Sequence, residues 1–113
     1  MIFVTSYKEI TSVDEWKDVL KLSDAQKILV LKHSTTCPIS ARAFREFESF
    51  DTPLEKYLVK VRESRSVSNE MESDLGVKHE SPQVFLVGDG KAVWNASHHQ
   101  INRTELAIAT KSS

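Results

Sequence analysis

The chain has 113 residues, 40% of them apolar and 27% charged, and its 15 Lys and Arg against 16 Asp and Glu leave a formal net charge of -1. That length suits a single domain spanning 1–113 with a core of its own. The near balance of charge gives no reason to expect nucleic acid or an anionic membrane as a partner.

Ile2, Phe3 and Val4 predict a short first strand. Their run is too brief for a signal peptide, and no stretch approaches the roughly 20 apolar residues needed to cross a bilayer, so a cytoplasmic location is expected. Ser12 and Glu15 have the spacing of a capping box, opening a helix whose Val13, Trp16, Val19 and Leu20 share one face and which ends near Leu22 or Ser23. The branched run Ile28 to Leu31 reads as a buried strand. After the polar residues His33, Ser34, Thr35 and Thr36 comes Cys37, followed by Pro38 and a helical pattern that places Ala41, Phe44, Phe47 and Phe50 roughly on one side.

Pro53 marks a break, and alternation predicts a strand from about Tyr57 to Arg62. A short helix from Asn69 to Leu75 should stop at Gly76. Gln83 to Val87 is a second strongly apolar strand, Asp89-Gly90 a hairpin turn, and Lys91 to Ala96 the antiparallel return. Asn102 and Glu105 suggest a last capping box, opening a helix through Leu106, Ile108 and Ala109, with the final Lys-Ser-Ser fraying. The order β, α, β, α, β, α, β, β, α describes an α/β protein, a central mixed sheet flanked by helices on both faces.

Chemically, the chain offers its one thiol at the junction of a strand and a helix. The first helical amides have no intrahelical partners, and the helix dipole adds partial positive charge, so both favour the thiolate, which is the nucleophile. A lone cysteine rules out an internal disulfide and cannot by itself build a thiolate metal cluster. His79, His98 and His99 do not have the spacing of a structural zinc motif, so no metal site is expected. Trp16 and Trp94 read as packing residues, and Gly88 and Gly90 as turn residues without a phosphate-binding loop.

The element order, with a cysteine opening the helix after the central strand and Ser81-Pro82 just ahead of the hairpin, resembles the thioredoxin superfamily. The string Thr36-Cys37-Pro38-Ile39-Ser40 resembles the active site of its monothiol bacilliredoxin family. That resemblance implies a thioredoxin-like fold with Cys37 as the attacking thiol, supported by Thr36, Pro38 and Ser40. Ser40 stands where dithiol relatives carry a resolving cysteine, and Pro82 where they carry a cis-proline facing the thiol. It further implies removal of bacillithiol from mixed disulfides on client proteins. Bacillithiol is then a co-substrate, no cofactor is bound, and a separate reductase recycles the oxidised small thiol.

Each residue also has a plainer reading. A lone cysteine is commonly a small buried hydrophobe. Thr35 and Thr36 can serve only as caps, or line the approach to the sulfur; Ser40 can be an ordinary first-turn residue, or donate to the thiolate. Pro82 can simply begin a strand, or present Ser81 to an extended substrate. Lys32, His33, Arg42 and Arg45 supply positive charge that would attract the carboxylates of a malate-bearing thiol. The rival function is a thioredoxin-like sensor or binding protein whose Cys37 is capped under stress without turnover.

Overall fold

The computed structural model describes residues 6–111. The strand expected at Ile2 to Val4 therefore lies outside the described residues. The first described strand is instead the two-residue β1, Lys8–Glu9. It is followed by α1 (Val13–Leu22), β2 (Ile28–His33), α2 (Pro38–Ser49), β3 (Lys56–Lys60) and α3 (Arg65–Leu75). Next come β4 (Gln83–Gly88), β5 (Lys91–Ser97), a single 3-10 turn at His98–Gln100 and α4 (Arg103–Lys111).

The five strands form one sheet in the order β1-β3-β2-β4-β5. β1 and β2 run parallel to β3, while β4 runs antiparallel to both β2 and β5. β2, in the middle, is buried along its whole length. Strand alternation divides its side chains between two cores. Ile28 and Val30 join Tyr57, Val59, Phe85 and Val87 beneath α1 and α3, against Trp16, Val67 and Met71. Leu29 and Leu31 join Leu58, Val84 and Leu86 beneath α2 and α4, against Ala43, Phe47 and Leu106. Complete burial of a side chain such as Phe47 contributes roughly 1.5–3 kcal/mol.

Several expected boundaries move, each for a local reason. β2 runs on through Lys32 and His33, because backbone pairing continues to Val59 and Lys60 in spite of the polar side chains. β3 begins at Lys56 and ends at Lys60, one residue earlier and two residues earlier than alternation suggested. Lys56 is buried because its ammonium donates to the Phe47 and Glu48 carbonyls (2.8 and 3.1 Å) at the end of α2. Carbonyls in the last turn lack a donor four residues on within the helix, and although the Phe50 amide reaches the Phe47 carbonyl at 3.3 Å, the buried lysine adds a cap there. α3 starts four residues before Asn69, carried by Val67, which lies one turn before Met71 on the core-facing stripe. In α4, Leu106 and Ala109 are buried, whereas Ile108 is 62% exposed.

The caps behave partly as read. Ser12 accepts from the Glu15 amide (3.1 Å), but the Glu15 carboxylate reaches back past Ser12 to the Thr11 amide and hydroxyl. Asn102 accepts from the Glu105 amide. Asp89 and Gly90 both have positive φ, 53° and 72°, as a two-residue hairpin turn of type I′ demands. That turn is clasped to the end of α1: the Asp89 amide donates to the Ser23 carbonyl (2.8 Å) and the Gly90 amide to the Ser23 hydroxyl (2.9 Å). Among the described residues no helix is long and apolar enough to cross a membrane.

Candidate active site

Cys37 is the N-cap of α2, half-buried, with extended backbone (φ -102°, ψ 124°) and Pro38 directly behind it in the helix. Its carbonyl accepts from Ala41 and its amide donates to Ser34, so the main chain around the sulfur is fixed on both sides. The side chain itself makes no capping hydrogen bond. A proline at the first helical position removes one N–H that would have no partner and presets φ for the helix.

The loop ahead of the sulfur is pinned from below by Ser40, which is fully buried. The Ser34 amide donates to Ser40 Oγ (2.8 Å), and the same oxygen shares a 2.7 Å hydrogen bond with His33 Nδ1. His33 is stacked on Phe44 at 5.0 Å between centroids. Burial holds its pKa below the usual histidine value, with Lys60 adding to the effect and Glu63 opposing it. A hydroxyl can donate once and accept twice, so Ser40 serves both the Ser34 amide and His33 Nδ1 in either tautomer of the ring. The hydroxyl in the resolving position is thus engaged inward, between the end of β2 and the first turn of α2.

Lys32 does not share this environment. By alternation it faces the α1 and α3 layer, where it is fully buried. Its ammonium donates to His79 Nδ1 (3.2 Å) and lies 5.7 Å from the Phe85 ring centroid. Burial brings its pKa down to about 8, partly offset by Glu72. The Ser68 hydroxyl lies 3.3 Å from the same His79 nitrogen, and the His79 amide donates to Glu72. Arg42 and Arg45 stand exposed on α2, without an ion pair among the described residues. Of the four cations considered from sequence, two are buried on opposite sides of the sheet.

The Ser81–Pro82 peptide bond is cis. Pairing of Lys32 with Gln83 sets Pro82 just off the start of β4, at the end of the sheet where β2 delivers Cys37. The Gln83 side chain holds the loop ahead of it, donating to the Lys78 carbonyl and accepting from the Glu80 amide. Ser81 Oγ is buried and has no hydrogen-bond partner among the described residues.

Thr35 and Thr36 are exposed and line one wall of a cleft of about 350 Å³, whose other wall is Arg62 and Glu63. These last two residues follow β3 and went unnoticed in the sequence reading. Parallel pairing of β2 with β3 brings their carboxyl ends side by side, and the Val61 amide donates to the His33 carbonyl (3.0 Å) at that junction. The usable signal was the topology: residues just beyond parallel neighbours share one edge of the sheet. Elsewhere, His98 lies 3.6 Å from Glu80, and no group of three His, Cys, Asp or Glu able to hold a metal occurs among the described residues.

A family model for the monothiol bacilliredoxin BrxC matches residues 8–106. Among solved structures, a thioredoxin-fold protein described as a candidate oxidoreductase is 36% identical, with a TM-score of 0.83 over 92% of this chain and 93% of that one. The thioredoxin of Malassezia sympodialis superposes with a TM-score of 0.76 at 20% identity, over 98% and 94% of the two chains. That of Trypanosoma brucei brucei gives 0.77 at 11% identity, over 96% and 90%. The fold is that of thioredoxin.

Proposed function

The chain belongs to the monothiol bacilliredoxin family, and from that premise we propose that it removes bacillithiol from mixed disulfides on client proteins, using Cys37 alone. A thiol redox role follows from the family and the fold together. The observation that supports the finer reading is the pairing of a half-buried Cys37 at a helix N-terminus with a fully buried serine one turn later. No second thiol is available to release a client from Cys37 internally, so a co-substrate thiol has to do so.

The exchange then runs in two displacements. The Cys37 thiolate attacks the bacillithiol sulfur of the client's mixed disulfide. The client–bacillithiol S–S bond breaks, the client thiolate leaves and takes up a proton, and Cys37 becomes disulfide-bonded to bacillithiol. A second bacillithiol, as its thiolate, attacks the capping sulfur and regenerates the Cys37 thiolate. The product is bacillithiol disulfide, which a separate reductase returns to the thiol. Ser40 and His33 take no part in bond making; they hold the loop that carries the sulfur.

The test is turnover, read by intact mass on a client carrying one defined bacillithiol cap. With the protein at a few per cent of client, free bacillithiol and its reductase present, the cap should leave every client molecule, and Cys37→Ser should abolish the transfer. A cap that moves once to Cys37 and stays there, with free thiol in excess, would instead mark a sensor.

A further inference from the structure

We propose that the cleft between Thr35, Thr36, Arg62 and Glu63 seats the small thiol that uncaps Cys37, and that it selects thiols carrying both a carboxylate and an ammonium group. This rests on the monothiol exchange set out above and assigns the place from which its second thiol attacks.

Uncapping needs a small thiol held close to a sulfur that is already bonded to another small molecule. The cleft reaches the residue next to the one that bears this sulfur, because Thr36 immediately precedes Cys37 in the chain and the two threonines form its near wall. Its volume, about 350 Å³, falls at the lower end of the range of small-molecule sites. The far wall presents a guanidinium and a carboxylate from consecutive residues, Arg62 and Glu63. Arg62 has no ion pair among the described residues, and the Glu63 carboxylate has only a long 3.5 Å contact from the Thr35 hydroxyl. A planar guanidinium suits a carboxylate, a carboxylate suits an ammonium, and threonine hydroxyls suit sugar or amide groups. Bacillithiol, with its malyl carboxylates and cysteinyl ammonium, satisfies all three.

Other positive charges are less suited. Lys32 is engaged with His79 beneath α3, and His33 is buried between Ser40 and Phe44, which holds its pKa below the usual histidine value. Arg42 and Arg45 lie on α2, outside the cleft. The Val61 amide on the His33 carbonyl ties the end of β3, just ahead of Arg62, to the end of β2, just ahead of the threonine loop.

The step is a single displacement. The incoming thiol loses its proton to solvent, its sulfur forms an S–S bond to the capping sulfur as the bond between that sulfur and Cys37 breaks, and the small-molecule disulfide departs with Cys37 regenerated as the thiolate.

The experiment starts from protein capped quantitatively at Cys37 with bacillithiol and follows uncapping against the concentration of added thiol. Arg62→Ala should raise the bacillithiol concentration for half-maximal rate by roughly two- to fivefold, the scale of an exposed ion pair. Glu63→Gln should act in the same direction, and the second-order rate with neutral 2-mercaptoethanol should stay at the wild-type value in both variants. An unchanged bacillithiol dependence would overturn the assignment. So would an equal slowing with 2-mercaptoethanol, which would place Arg62 in control of the sulfur and not of the incoming thiol. If bacillithiol fails to uncap even the wild type, the de-bacillithiolation reading falls. The cleft is then judged by the same comparison with glutathione, which carries both charges.

Discussion

Ser40 occupies the position at which a dithiol relative carries its second cysteine, and its hydroxyl satisfies two buried partners at once, the Ser34 amide and His33 Nδ1. Removing one member of a buried hydrogen-bonded set leaves the others without partners, which costs about 1–3 kcal/mol. Ser40→Ala should therefore lower stability by that amount, read from the midpoint and slope of urea unfolding. An unchanged midpoint would show that the loop does not depend on this contact. The cysteine, the proline and the serine were all visible in the sequence, but the His33 contact was not. Its strand was expected to end two residues earlier, and only a strand continuing to His33 turns that ring toward α2 and Phe44.

At the scale of elements, β2 carries two polar residues in succession into opposite layers. His33 is served by α2, while Lys32 is served by His79 in the loop between α3 and β4. A lysine that loses its proton at about pH 8 in the folded protein, but near 10.5 when unfolded, leaves the unfolded chain binding more protons within that window. Stability then rises as pH climbs from about 8 toward 10.5, and the full burial cost applies below 8. Lys32→Met keeps the stem's apolar contacts, and the Ser68 hydroxyl remains close enough to serve His79. The variant should be more stable than wild type at pH 7 by on the order of 2 kcal/mol, and the gap should close as pH approaches 10. A variant less stable at pH 7 would show that the Lys32–His79 contact outweighs the burial. Neither this cluster nor the Lys56 cap on α2 was legible beforehand, since an alternating pattern records which residues are polar and not what they meet across the sheet. The early start of α3 was missed as well: the helix was expected from Asn69, while Val67 and Met71 already defined a buried stripe.

Across the whole molecule, element types and their order were legible because each long element carries its own signal: the apolar runs of β2 and β4, the glycines at 76 and 90, and the serine and asparagine caps. The sheet order β1-β3-β2-β4-β5 carries no such local mark. It follows from which apolar faces find one another, and it is this order that places Arg62 and Glu63 opposite the threonines before Cys37.

The clasp between Ser23 and the Asp89–Gly90 turn ties two segments more than sixty residues apart in sequence. A hairpin tip at the edge of a sheet ordinarily exchanges its amide protons with solvent almost freely, because loop tips open locally at little cost. Here the amides of Asp89 and Gly90 are both donated to one residue at the end of α1, so neither is released unless the hairpin and that helix part. Both protons should exchange slowly and at matching rates, with the backbone amide of Lys91 beside them as an internal comparison in the same nuclear magnetic resonance experiment. Rapid loss at Asp89 and Gly90 would mean that the tip breathes alone. Matched slow loss would make this turn a reporter of when the α1 side of the protein separates from the sheet.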